Sequence, residues 1–171
     1  MKPIYLFSLF ILFLSCNQRD TSKSDNKTDQ PFIKTVNQSD LSKINYTEFV
    51  LSPEAQRAIE NWVEYNQLQE QVGYLKKGDL SFFNDNKKAI ETLLKDLNKN
   101  IPEDLKDNSI LARLKVVETT IYKLESLVQL STTTKPELIE GIKAFLISVS
   151  NLDLQLNEVI ELRRYENIPK P

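Results

Sequence analysis

The chain has 171 residues, 24 acidic against 22 basic for a net charge of −2, and no histidine. The absence of a basic surplus argues against nucleic acid as a partner, and the absence of histidine removes the commonest general base and the commonest transition-metal ligand. Three glycines are too few for the turns of a sheet protein of this length, so composition alone points to helices.

Met1-Lys2 opens the chain, Pro3 to Leu14 is almost wholly apolar, and Phe13-Leu14-Ser15-Cys16 closes the run with the one cysteine present. The apolar stretch is about a dozen residues, the length of a secretory h-region and short of the roughly 20 that span a bilayer. Asn17-Gln18-Arg19-Asp20 follows, abruptly polar. This pattern resembles the lipobox of bacterial lipoproteins, with Phe13 where an aliphatic residue is usual. The resemblance covers residues 1–16 and implies that signal peptide 1–15 is cut, that Cys16 carries acyl chains, and that the mature protein is held on a membrane. Asn17 is not the Asp that retains such proteins in the inner membrane, which implies the outer membrane. Cleavage leaves 156 residues and, with Lys2 gone, a net charge of −3. Cys16 has no second cysteine to pair with.

Residues 16–31 hold nothing apolar to bury after the cysteine and are expected to form the lipid anchor and a disordered tether of roughly 20 Å end to end. Residues 32–51 carry Phe32, Ile33, Val36, Leu41, Ile44, Tyr46, Phe49 and Val50 without helical or alternating period. They are expected to wrap the domain irregularly, with one helical turn around Asp40 to Ile44. So many large side chains without a period either pack on the domain or await a partner. On the second alternative, residues 32–46 could be removed without unfolding the rest.

Four long helices are expected over residues 52–166. Ser52-Pro53-Glu54 starts the first with an N-cap, a proline at the first position and an early carboxylate. Its apolar face runs through Ala55, Ile59, Trp62, Tyr65, Leu68, Val72 and Leu75 to a stop at Gly78. Asp79 can cap the second, with Phe83, Ile90, Leu93, Leu94 and Leu97 inward and Pro102 beyond its end. The third begins near Asn108 with a seam at Ile110, Leu114, Val117, Ile121, Leu124 and Val128, spaced alternately by four and three. Thr134-Lys135-Pro136-Glu137 is a capping box for the fourth, whose seam is Ile142, Phe145, Val149, Leu152, Leu156 and Val159, running to about Arg164. Residues 167–171 are left as a tail.

Helices of this length joined by short links predict an antiparallel up-down-up-down four-helix bundle. A turn near Gly78 puts Trp62 level with Leu94 and Ile59 with Leu97, so the indole is expected in the core. A turn near Thr133 and Thr134 puts Arg113 level with Asp153. The two form either an ion pair that sets helix register or two solvated charges on separate flanks.

No reaction is written in the rest. A di-metal bundle needs Glu-x-x-His and a c-type haem needs Cys-x-x-Cys-His, while Asn84-Asp85-Asn86 lacks the continuation of a calcium loop. Glycine-rich phosphate loops are absent, and Glu118, Glu125, Glu137 and Glu140 read as solvated faces. No catalytic residue, metal ligand or cofactor is assigned. Asn66 and Gln69 fall near the centre of the first helix's apolar face, where polar groups are costly unless bonded. They either line a polar cavity or bond at a bundle edge or to a neighbouring helix. Two functions follow: a lipid-anchored, non-catalytic module that binds another envelope protein through a helix face or the irregular segment 32–51, or a small-ligand carrier or sensor opening around Asn66, Gln69 and the tyrosines.

Overall fold

The computed structural model describes residues 35–166. The expected signal peptide 1–15, the expected lipidation of Cys16 and tether to residue 31, residues 32–34 of the irregular segment, and the tail 167–171 lie outside the described residues. The described chain is all-α, comprising α1 (Gln38–Leu41), α2 (Pro53–Ile59), α3 (Val63–Lys76), α4 (Lys87–Lys99), α5 (Asn108–Gln129) and α6 (Lys135–Glu166). Two single 3-10 turns, Ser81–Phe83 and Glu103–Leu105, complete it, and no strand occurs among the described residues. Among them no helix is long and apolar enough to cross a membrane.

Four continuous helices are expected from the periodicity and six are found, for local reasons. The first splits at residues 60–62, where Trp62 takes a non-helical backbone (φ −88°, ψ 84°). Its indole enters the core, donating Nε1–H to the Leu97 carbonyl at 3.2 Å and stacking on Tyr65 at 5.4 Å between centroids. The buried indole agrees with expectation, but its bond falls at Leu97, about one helical turn from Leu94. Neither glycine nor proline marks the break. The carbonyl of Glu60, left without a helical partner, accepts from the Asn66 side chain at 3.3 Å.

The second helix starts later than expected. Asp79 caps only the short turn, accepting from Ser81 N–H at 2.9 Å, and Phe83 is driven into the core. The chain then reverses through Asp85 at φ 55°, a left-handed conformation that Asp tolerates, before α4 begins. Ahead of it, α3 closes in a Schellman motif: Asp79 N–H donates to the Tyr74 carbonyl and Gly78 N–H to that of Leu75. Gly78 sits at φ 91°, and a Cβ there would lie 3.2 Å from the Asn37 backbone.

The third and fourth helices start where their caps place them. Asp107 accepts from Ser109 N–H at 2.8 Å, and Thr134 with Glu137 forms the reciprocal box. Ile110, Leu114, Val117, Ile121 and Leu124 are buried along α5, and the whole α6 seam is buried. The two helices pair antiparallel and tightly. Thr120 Oγ1 lies 2.7 Å from Ser148 Oγ, and further along, Gly141 leaves room for Leu127. Of the two, α6 is the longer, about 48 Å against about 33 Å, and its C-terminal half also contacts α2 and the Glu103–Leu105 turn.

The segment before α2 packs on the bundle. α1 is the expected single turn shifted towards the N-terminus, closed by reciprocal 3.0 Å bonds between Asn37 and Asp40. Asp40 also pairs with Lys135 at 2.8 Å, and that bond holds its carboxyl below the usual range. Val36 and Leu41 are core residues, and Ile44, Tyr46 and Leu51 are partly buried against the core. Of the two alternatives, packing on the domain is the one the burial favours, and deleting residues 32–46 would take two core side chains, Val36 and Leu41, with it.

Leu124→Ala and Leu156→Ala should each lower the unfolding free energy by about 2–5 kcal/mol in urea titrations followed by helical circular dichroism. Gly78→Ala should cost roughly 1–3 kcal/mol through its backbone conformation and its contact with Asn37. A cost below about 0.5 kcal/mol at both leucines would place that seam on the surface.

Candidate functional site

α6 carries a polar interruption at Ser148, Ser150, Asp153 and Asn157. The last three stand at i, i+3 and i+7 and therefore share one face, turned away from α5. Ser150 Oγ donates to the Thr47 carbonyl at 2.9 Å and accepts from Phe49 N–H at 2.8 Å. One helical stretch on, Asn157 Nδ2 donates to the Val50 carbonyl at 2.9 Å while its Oδ1 accepts from Ser52 N–H at 2.8 Å. These four bonds hold residues 46–52 as a strap along the helix.

Asp153 lies between the two anchors, only 8% exposed. Its Oδ1 accepts from the Tyr65 hydroxyl at 2.6 Å and from Gln69 Nε2 at 3.0 Å, and its Oδ2 lies 3.2 Å from the same amide. Gln69 Nε2 also reaches the Tyr65 oxygen at 2.8 Å. Burial pushes the Asp153 carboxyl up to about 6; the two donors and Lys76 work against it, and Glu48 works with it. Tyr65 is raised well above its ordinary value, first by burial and then by Asp153, so it stays a neutral donor. Glu48 on the strap pairs with Lys76 on α3.

This cluster forms one wall of an open groove of about 290 Å³ between the strap, α2 and α3. Glu48, Gln56, Asn66, Gln69 and Asp153 supply its polar groups, Phe49, Val50 and Ile59 its apolar ones. Val50 is 75% exposed at the rim. A larger open groove of about 800 Å³ between α3 and α4 is lined by Glu64, Glu70 and Asp96. Of these, Glu64 is engaged by Asn100 and Glu70 by Tyr74. Among the described residues, no three His, Cys, Asp or Glu stand close enough to hold a metal ion.

The site residues read from the sequence divide in two. Gln69 and Asp153 come together in the cluster. Asn66 is exposed, lines the same groove, and uses its amide at the helix break. Arg113 is exposed on α5, and none of the ion pairs among the described residues involves it or Asp153. The expected Arg113–Asp153 register pair is thus not formed. Its level along the helices is close, as the Thr120–Ser148 contact shows, but Asp153 is turned about 140° from Ser148 around α6 and faces α3. Ser150 and Asn157 are not singled out by the sequence reading, nor is the bond between Tyr65 and Asp153. The polar i, i+3, i+7 spacing of Ser150, Asp153 and Asn157 on a helix with an apolar seam is the signal that identifies Ser150 and Asn157.

No protein-family model, curated protein or solved structure matches the chain.

A carboxyl raised in the folded state binds its proton more tightly there than in the unfolded chain. Its stabilising contribution is therefore complete below its ordinary value near 3.8 and is lost as pH rises through about 6. Relative to Asp153→Asn, the wild type should gain stability on going from pH 7.5 to pH 4, by on the order of 1–3 kcal/mol. Parallel urea midpoints for the two proteins across that range would show the carboxyl to be as solvated as a surface one.

Proposed function

We propose that this chain is a lipid-anchored helical module of the cell envelope, on the outer rather than the inner membrane, that binds another envelope protein without catalysing a reaction. Its fold is read as an up-down-up-down four-helix bundle in which α2 and α3 form one broken helix. The bonds of Trp62 to Leu97 and of Tyr65 and Gln69 to Asp153, with the Thr120–Ser148 contact, support antiparallel neighbours.

The groove beside the strap carries the binding assignment. It combines convergent polar groups with apolar ones, the composition of recognition sites. Yet it is open rather than enclosing, and its volume stands only at the lower edge of the roughly 300–1,000 Å³ of clefts that bury small ligands. A site of that size fits one or two side chains of a protein partner. Residues 48–51 of the strap are then the contact, in place of the buried part of the 32–51 segment. The small-ligand carrier remains as a second reading, favoured by one observation: Gln69, Tyr65 and Asp153 stand together in the groove wall.

A photo-cross-linking residue at Val50 should give a protein adduct of discrete mass in intact cells, and one at Thr119, on the exposed side of α5, should not. Equal labelling or none would overturn the groove as a protein contact, and a small molecule retained in native mass spectrometry would then favour the carrier. A fatty-acid analogue should label the wild type, and Cys16→Ala should abolish the label.

A further inference from the structure

The strap and the buried acid are built into one device. Ser150 and Asn157, which pin residues 46–52, stand three residues before and four after Asp153, so the strap crosses the same face of α6 from which Asp153 projects. Beneath it, between Tyr46, Lys76, Val149 and Ser150, about 10 Å³ of space remains beside Asp153. That is room for at most about one water, so on the side under the strap the carboxylate has no hydration shell and water can approach it only from the groove.

The charges around this point do not balance once Asp153 ionises. From α3 the facing groups are the Tyr65 phenol, the neutral Gln69 and the Lys76 ammonium. From the strap they are the Tyr46 phenol and the Glu48 carboxylate, and from α2 the neutral Gln56. Among the described residues Lys76 is therefore the one cation facing the two carboxylates, and it is already paired with Glu48. With Asp153 protonated, Lys76 serves Glu48 alone and draws the strap onto α3. With Asp153 ionised, Glu48, itself about half exposed, faces a second negative charge that is almost wholly buried.

We propose that residues 46–52 are a pH-dependent latch over the groove, closed when Asp153 is protonated and loosened when it ionises. The raised Asp153 carboxyl, with Glu48 raising it and Lys76 lowering it, agrees with that coupling. The latch acts on the strap itself, whether or not a partner occupies the groove, so its failure would leave the binding assignment standing.

Amide hydrogen exchange on the full chain tests it. Phe49 N–H and Ser52 N–H donate to the two anchors and report strap closure directly. After correction for intrinsic exchange, their protection should fall about tenfold or more between pH 5 and pH 7.5. Protection at Val117 and Ile121 in the α5 seam should be retained. Asp153→Asn should keep the strap protected at both pH values. An unchanged strap in the wild type, or the same fall in Asp153→Asn, would overturn the latch. Should that variant not fold, the wild type decides alone: the Asp153 carboxyl carbon and the Phe49 amide should titrate by NMR with one midpoint. Separate midpoints, or a Phe49 amide that does not titrate, would refute the coupling.

Discussion

A helix surrounded on several sides cannot leave its polar groups unpaired, and α6 has a run of them in mid-course. Ser148 is answered by Thr120 of α5, Ser150 and Asn157 by the strap, and Asp153 by Tyr65 and Gln69 of α3. Apolar burial drives these elements together but is indifferent to small slides between them. The polar residues are not indifferent, because a buried donor or acceptor without a partner costs about 1–3 kcal/mol. A slide of one turn along α6 would break several of these bonds at once. Among the described residues no buried side-chain nitrogen or oxygen lacks a partner, which is the condition the arrangement has to meet.

The same requirement accounts for the irregular parts of the fold. Tyr65 can reach Asp153 only if α3 lies against α6, and Trp62, one turn earlier, must then enter the space next to α4. A straight helix from Pro53 to Lys76 would carry both rings on one continuous face. The break at residues 60–62 frees Trp62 to bond the Leu97 carbonyl, and Asn66 takes up the carbonyl exposed by the break. Strap residues 47–52 meet a related demand. With no strand or helix of their own to satisfy them, two of their amides and two of their carbonyls are paired by side chains of α6.

These relations explain what could and could not be read from the chain. The caps at Ser52 and Thr134, the start of the third helix near Asn108, the α5 and α6 seams and the buried indole follow from local chemistry and period, and are found. The helix break is invisible to such reading, because Ala55, Ile59, Trp62 and Tyr65 keep helical spacing across it and no glycine or proline interrupts them. The late start of α4 is a matter of the left-handed Asp85, a conformation that several residues could have taken. Asp153 was legible as a charge on an apolar face but not in its direction. Helix level follows from loop position, whereas the direction around the axis is set by which neighbour supplies a partner, here a tyrosine 88 residues away in sequence.

An acid at position 153 is not the residue that stability alone would select. An asparagine is nearly the same shape and could accept from the Tyr65 hydroxyl without the desolvation of a charge. Replacing buried charged groups by neutral ones of similar volume is often neutral or stabilising, so satisfaction of the Tyr65 and Gln69 donors does not by itself account for a carboxylate. What the carboxylate adds is a second protonation state close to neutral pH, within electrostatic reach of a strap that carries its own charge. Groups whose ionisation is made difficult by burial, placed in the wall of a groove, are where function is most often found. The polar face of α6 thus serves two ends, since the residues that fix the packing of α3 and the strap also hold, beside the proposed binding groove, the one buried acid among the described residues.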